Sequence, residues 1–172
     1  MKNTTLGIFT THSAAESALN ELKAFGVSEG DLSYVYRNDA GNLKDGQTGN
    51  KVGEGTAAGV TTGAVIGATL GLIVANVALP GIGTLLVAGP LTAALGISGV
   101  AATAIAGAAT GAAAGGLFGA LKNLGVDDTD VKLYEDHVRQ GNVLVIARDT
   151  PTSTKTIFMQ EGAVDVREYT TN

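Results

Sequence analysis

The chain has no cysteine and no tryptophan. Without thiols there is no disulfide framework, no thiol chemistry and no cysteine-ligated metal. Basic charge is short as well. Eleven Lys and Arg face sixteen Asp and Glu, a formal charge of −5, which argues against a broad basic surface for nucleic acid. The most telling gap is local. From Gly55 to Leu121 the chain carries no Asp, Glu, Lys or Arg. That stretch is longer than the roughly 20 apolar residues of one membrane crossing. The opening MKNTTLGIFTTHS has one lysine and an apolar run too short for a signal-peptide core. A cytoplasmic place for the charged flanks is therefore expected.

What the chain does hold divides into flanks and insert. Thr4–Thr10 reads as a strand. A helix follows, with Ser13 and Glu16 as a capping box and an apolar stripe of Ala15, Ala18, Leu19, Leu22 and Phe25. Gly26 ends it. Leu32, Tyr34 and Tyr36 alternate with Ser33, Val35 and Arg37, as in a strand with one face on a core. Beyond the uncharged stretch, an acidic start leads into a helix striped by Val131, Tyr134 and Val138 and stopped at Gly141. Asn142–Arg148 is a strand, Thr150 and Pro151 open a helix, Gly162 ends it and Ala163–Tyr169 alternates as a last strand.

With the insert and its trailing helix set aside, the order is βαβ–βαβ. The expected fold class is α+β, a ferredoxin-like split head of four antiparallel strands with two helices on one face. The expected organisation is a first half with a polar linker over 1–53, an uncharged helical hairpin over 54–122, and the second half over 123–172.

Within the insert, glycine recurs at Gly55, Gly59, Gly63, Gly67 and Gly71, and again at Gly99, Gly107, Gly111, Gly115 and Gly119, with Thr103 in the gap. Four-residue spacing places each set on one helical face. Glycine costs a helix up to about 1 kcal/mol against alanine, so the stripe needs a compensation. Backbone-to-backbone helix packing supplies one, through dispersion and Cα–H···O contacts. The spacing predicts two glycine-zipper helices, the first reaching Leu79. They are joined by a broken tip bearing Pro80, Gly81, Gly83, Gly89 and Pro90. Lys44, Lys51 and Lys122 edge the stretch as on the cytoplasmic side of a membrane. The weakly lipophilic Gly, Ala and Thr, the missing aromatic belts and Asn76 argue for burial in a soluble assembly instead.

GEGTAAGVTTGAVIGATLG, then LPGIGTLLVAGPL, a small-residue helix, a YED-type acidic helix and the strand GNVLVIAR together resemble the bacterial general stress protein 17M-like family. This family is also described as heat-induced stress protein YflT-like or low-temperature-induced protein. The resemblance runs from LGIFTTHSAAESALNEL to GAVDVREY. It implies a bacterial stress response and a place at the membrane, and it transfers no catalytic residue.

No cofactor, metal or catalytic set is expected. His12 and His137 stand apart, and Asp127, Asp128, Asp130, Glu135 and Asp136 lack the spacing of a calcium loop. The glycines before the insert are not followed by GK[ST]. The expected function is non-enzymatic: a self-associating stress-response protein held at the cytoplasmic membrane with its head in the cytoplasm. The alternative is a soluble oligomeric binding or sensor module in the cytoplasm, its hairpins packed in a shared core.

Overall fold

The computed structural model describes residues 2–37, 74–79, 83–95 and 116–171. They form a mixed α+β fold around one six-stranded sheet. The elements run β1 (Lys2–Phe9), α1 (His12–Ala24), β2 (Leu32–Arg37), β3 (Val74–Leu79), β4 (Gly83–Ala88), α2 (Leu91–Ala94), α3 (Gly116–Lys122), α4 (Asp128–Arg139), β5 (Val143–Arg148), α5 (Ser153–Gln160) and β6 (Asp165–Thr171). A 3₁₀ turn at Glu29–Asp31 leads into β2. The sheet order is β3-β4-β2-β5-β1-β6, every neighbouring pair antiparallel.

The expected strands and helices of the flanks are present, with shifted ends. Helix α1 is capped by Thr11, not Ser13. Thr11 is extended and its hydroxyl accepts from the Ala14 N–H at 3.3 Å, while Ser13 already lies in the first turn. Phe25, read as the last residue of the apolar stripe, is 65% exposed, because it stands at the C-cap beyond the last turn on the sheet. Gly26 turns the chain with φ +88°. Helix α5 starts later than the Thr150–Pro151 pair suggests. Pro151 instead supplies the carbonyl that accepts from the Thr154 N–H at 3.0 Å, and Thr152 is the cap.

Two corrections matter more. The sheet is covered on both faces, not one. Over one face α1 and α5 bury Ala15, Ala18, Leu19, Leu22, Ile157 and Phe158 against Tyr34, Tyr36, Val143 and Val145. Over the other, α2, α3 and α4 bury Leu91, Leu117, Leu121, Val131, Tyr134 and Val138 against Leu6, Ile8, Val35, Leu144 and Ile146. The trailing helix α4 is thus half of the second cover. Residues 143–147 of β5 are buried without interruption, the mark of a strand enclosed on both sides.

The second correction lies in the insert. Val74–Leu79, expected as the end of the first glycine-striped helix, is a strand, and 83–88, expected within a broken tip, is its hairpin partner. The stripe glycines end at Gly71. Beyond them the β-branched and leucine residues Val74, Val77, Leu85 and Val87 suit a pleated surface, and β4 pairs with the edge of β2 from Arg37↔Leu85 to Tyr34↔Ala88. Burial on both faces of β4 decides the matter: Leu85 and Val87 enter one core, Leu86 and Ala88 the other. Of the tip residues, Gly83 opens β4 with φ +104° and Gly89 closes it with φ +85°, while Pro90 caps α2. Pro80 and Gly81 lie outside the described residues, as do Gly55, Gly59, Gly63, Gly67, Gly71, Gly99, Gly107, Gly111 and Gly115. Among the described residues no helix is long and apolar enough to cross a membrane.

Candidate functional site, a polar clasp between helix α4 and strand β6

Among the described residues, five interacting polar side chains join α4 to the edge strand β6. Alternation along β6 puts Asp165, Arg167 and Tyr169 on one face. Asp130 sits in the acidic first turn of α4, where the helix dipole favours a carboxylate. Its Oδ2 accepts from the Tyr169 hydroxyl at 2.7 Å, and its Oδ1 pairs with Arg167 Nη1. Arg167 Nε reaches Asp165 Oδ2 at 3.2 Å. One turn along α4, the Tyr134 hydroxyl stands 3.0 Å from that of Tyr169. Because Tyr169 gives its proton to Asp130, Tyr134 is the donor in that bond. The chain of donation runs Tyr134 to Tyr169 to Asp130, with Arg167 closing it from the other side.

Chemically this is a fastening, not a proton-transfer pair. Burial pushes the Tyr134 hydroxyl up to about 12. Burial first, then the bonds to Tyr134 and Asp130, push Tyr169 further up. Both phenols therefore stay protonated through the neutral range and make poor general bases. Asp130 is the innermost charge of the group, its side chain 17% exposed. Its pairing with Arg167 and Tyr169 satisfies a carboxylate that would be costly alone.

The acidic cluster of α4 is dispersed by the fold. Asp128 pairs with Lys122 at 2.5 Å and Asp136 with Arg139 at 2.8 Å, while Glu135 is raised by burial. Among the described residues no group of three or more His, Cys, Asp and Glu is placed to hold a metal ion. His137 accepts from Asn142 Nδ2 at 3.0 Å through Nδ1, which leaves the neutral ring's proton on Nε2. The sequence showed Asp130 and the alternation of β6 separately. It gave no sign that residues 37 and 39 positions apart meet.

His12 occupies the first position of α1, its ring edge-on to Tyr36 with centroids 4.5 Å apart. Tyr36 stacks in turn on Tyr34 at 6.2 Å. Burial lowers the pKa of His12 below 6.5. The folded chain thus binds fewer protons here than the unfolded chain, so stability rises with pH between the folded value and 6.5 and falls on acidification through that window. Thermal melts at pH 7.5 and pH 5 are expected to show a loss on acidification that His12→Gln reduces. An identical loss in both proteins rules the assignment out.

Comparison with known proteins found no matching family model, no matching curated protein and no matching solved structure.

Proposed function

We propose that this chain is a non-enzymatic, self-associating protein of the bacterial stress response. In this reading a ferredoxin-like head lies in the cytoplasm, and the uncharged glycine-striped segments pack against one another and against other copies at the membrane surface. The contiguous order β2-β5-β1-β6, with α1 and α5 on one face, supports the ferredoxin-like reading of the head. The resemblance drawn from the sequence supplies the stress response and the membrane.

One observation carries most of the functional reading. The uncharged stretch returns to the head midway, through β3 and β4, so the chain re-enters the sheet between the two glycine stripes. Leu95, ahead of the second stripe, and Leu117, beside its last glycine Gly119, lie in the same core cluster. A twenty-residue helix crossing a bilayer would part its ends by about 30 Å. Anchors in a single core favour contact with protein or with the membrane surface over a crossing there. The same anchors favour the second reading, a soluble oligomeric binding or sensor module, over a spanning protein.

Fractionation of cells followed by sizing without detergent separates the two. Association at the membrane surface predicts a pellet from which carbonate releases the protein. The soluble assembly predicts a discrete oligomer in the supernatant. A monomer in the supernatant overturns both. Gly119 tests the stripe itself. It lies on α3, and a Cβ added there meets nothing within 4 Å among the described residues. Gly119→Leu is therefore expected to keep the melting temperature of the head while weakening self-association. Gly63→Leu and Gly111→Leu are expected to break the assembly outright. An assembly unchanged by all three removes glycine packing from the account.

A further inference from the structure

We propose that the β3–β4–α2 unit exchanges between copies, so that β4 of one chain completes the sheet of a second copy by pairing with that copy's β2. The unit cannot rest undocked. Leu85 and Val87 fill the core under α3 and α4, while Leu86 and Ala88 fill the core under α1 and α5. Released, β4 would expose apolar side chains on both faces, and β2 would present an open edge of the kind that recruits another strand. A latch reinforces the docking: the Leu91 N–H donates to the buried Ser33 Oγ of β2 at 3.2 Å. Every one of these contacts is the same whether β2 belongs to the same chain or to a copy, which is the condition for exchange.

The connections allow it. Residues 38–73 lie between β2 and the unit, and residues 96–115 between the unit and α3. The shorter connection has 20 residues and, even as the helix proposed for its glycine stripe, reaches about 30 Å, the width of a small domain. The drive towards a second copy rests on the self-association proposed above, because glycine-stripe contacts raise the local concentration of foreign β2 edges. The partner is therefore another copy of this chain, and the surface it meets is the β2 edge with the rims of both cores.

The absence of native cysteine permits a clean test in the full-length chain. Val35 and Val87 face each other in the β2–β4 ladder. Directly opposed residues of antiparallel strands lie about 4.5–5.5 Å apart, within disulfide reach. The double variant Val35→Cys with Val87→Cys is oxidised at a concentration where light scattering shows the oligomer, then denatured and run without reductant. Exchange predicts covalent dimers of twice the chain mass. Cross-links confined to single chains within a demonstrated oligomer overturn exchange and leave self-association standing. A preparation that is monomeric throughout overturns both. If the double variant does not fold, a Val35→Cys chain is co-refolded with a Val87→Cys chain. A mixed covalent dimer then supports exchange, and its absence overturns it.

Discussion

Gly89→Ala is expected to destabilise the protein by about 3 kcal/mol or more and to loosen the β3–β4 hairpin first. Gly89 sits at φ +85°, where an L side chain costs roughly 1–2 kcal/mol. A Cβ there would also stand 2.0 Å from the Leu32 carbonyl oxygen and 2.9 Å from Ser33 Cα. Both are backbone atoms of or beside the strand on which β4 is laid, so no rotamer change relieves the contact. Overpacking of this kind adds about 1–3 kcal/mol. The total is a large part of the 5–15 kcal/mol that holds a typical domain folded. Urea unfolding should show the loss, and amide exchange in β3 and β4 should speed up before exchange in β1 and β5. A change below about 1 kcal/mol contradicts the close approach of Gly89 to β2.

Phe158→Ala is expected to cost about 3–5 kcal/mol, the range for deleting a buried phenyl ring. Phe158 is fully buried and meets Phe9 edge-on at 5.5 Å. Its ring also lies across Gly7 of β1, where an added Cβ would fall 2.6 Å from the ring carbon Cδ2. The two residues form one packing unit: glycine on the strand makes the hollow that the ring fills. Gly7→Ala alone should cost about 1–3 kcal/mol by forcing the ring aside. In the Phe158→Ala background it should cost much less, since the obstruction has gone. Denaturant curves for the four proteins of this double-mutant cycle give the coupling. Strictly additive losses mean that the ring does not rest on Gly7.

The gap between sequence and structure follows a physical line. Helix α4 was legible down to its buried face, Val131, Tyr134 and Val138, because amphipathic periodicity is a local property. Gly26, Gly141 and Gly162 turn at positive φ where the ends of helices were expected. The β5 run Val143–Ala147 was recognised as a strand, yet its unbroken apolar character also signalled cover on both faces. The one-sided split head expected from the order of elements takes no account of it. In the insert, the four-residue glycine frame ends at Gly71, and the residues beyond it include β-branched side chains that suit a strand. Local pattern predicts a helix through 74–79, and it is pairing with β4, itself laid on the edge of β2, that makes those residues a strand.

The clasp of Asp130, Arg167, Tyr169 and Tyr134 belongs wholly to the tertiary level. Each member had an ordinary local reading: an acidic helix start, a charge on a strand, an apolar stripe residue. Their meeting depends on the packing of α4 over the edge of the sheet. By itself the sequence determined the charged flanks, the uncharged middle, the helix stripes and the turns, because hydrophobic period and backbone freedom act within a few residues. The tertiary structure decided which faces are covered, that the insert rejoins the sheet, and which polar groups are paired. Those outcomes rest on contacts between segments far apart in the chain, whose free energy exists only once both segments are in place.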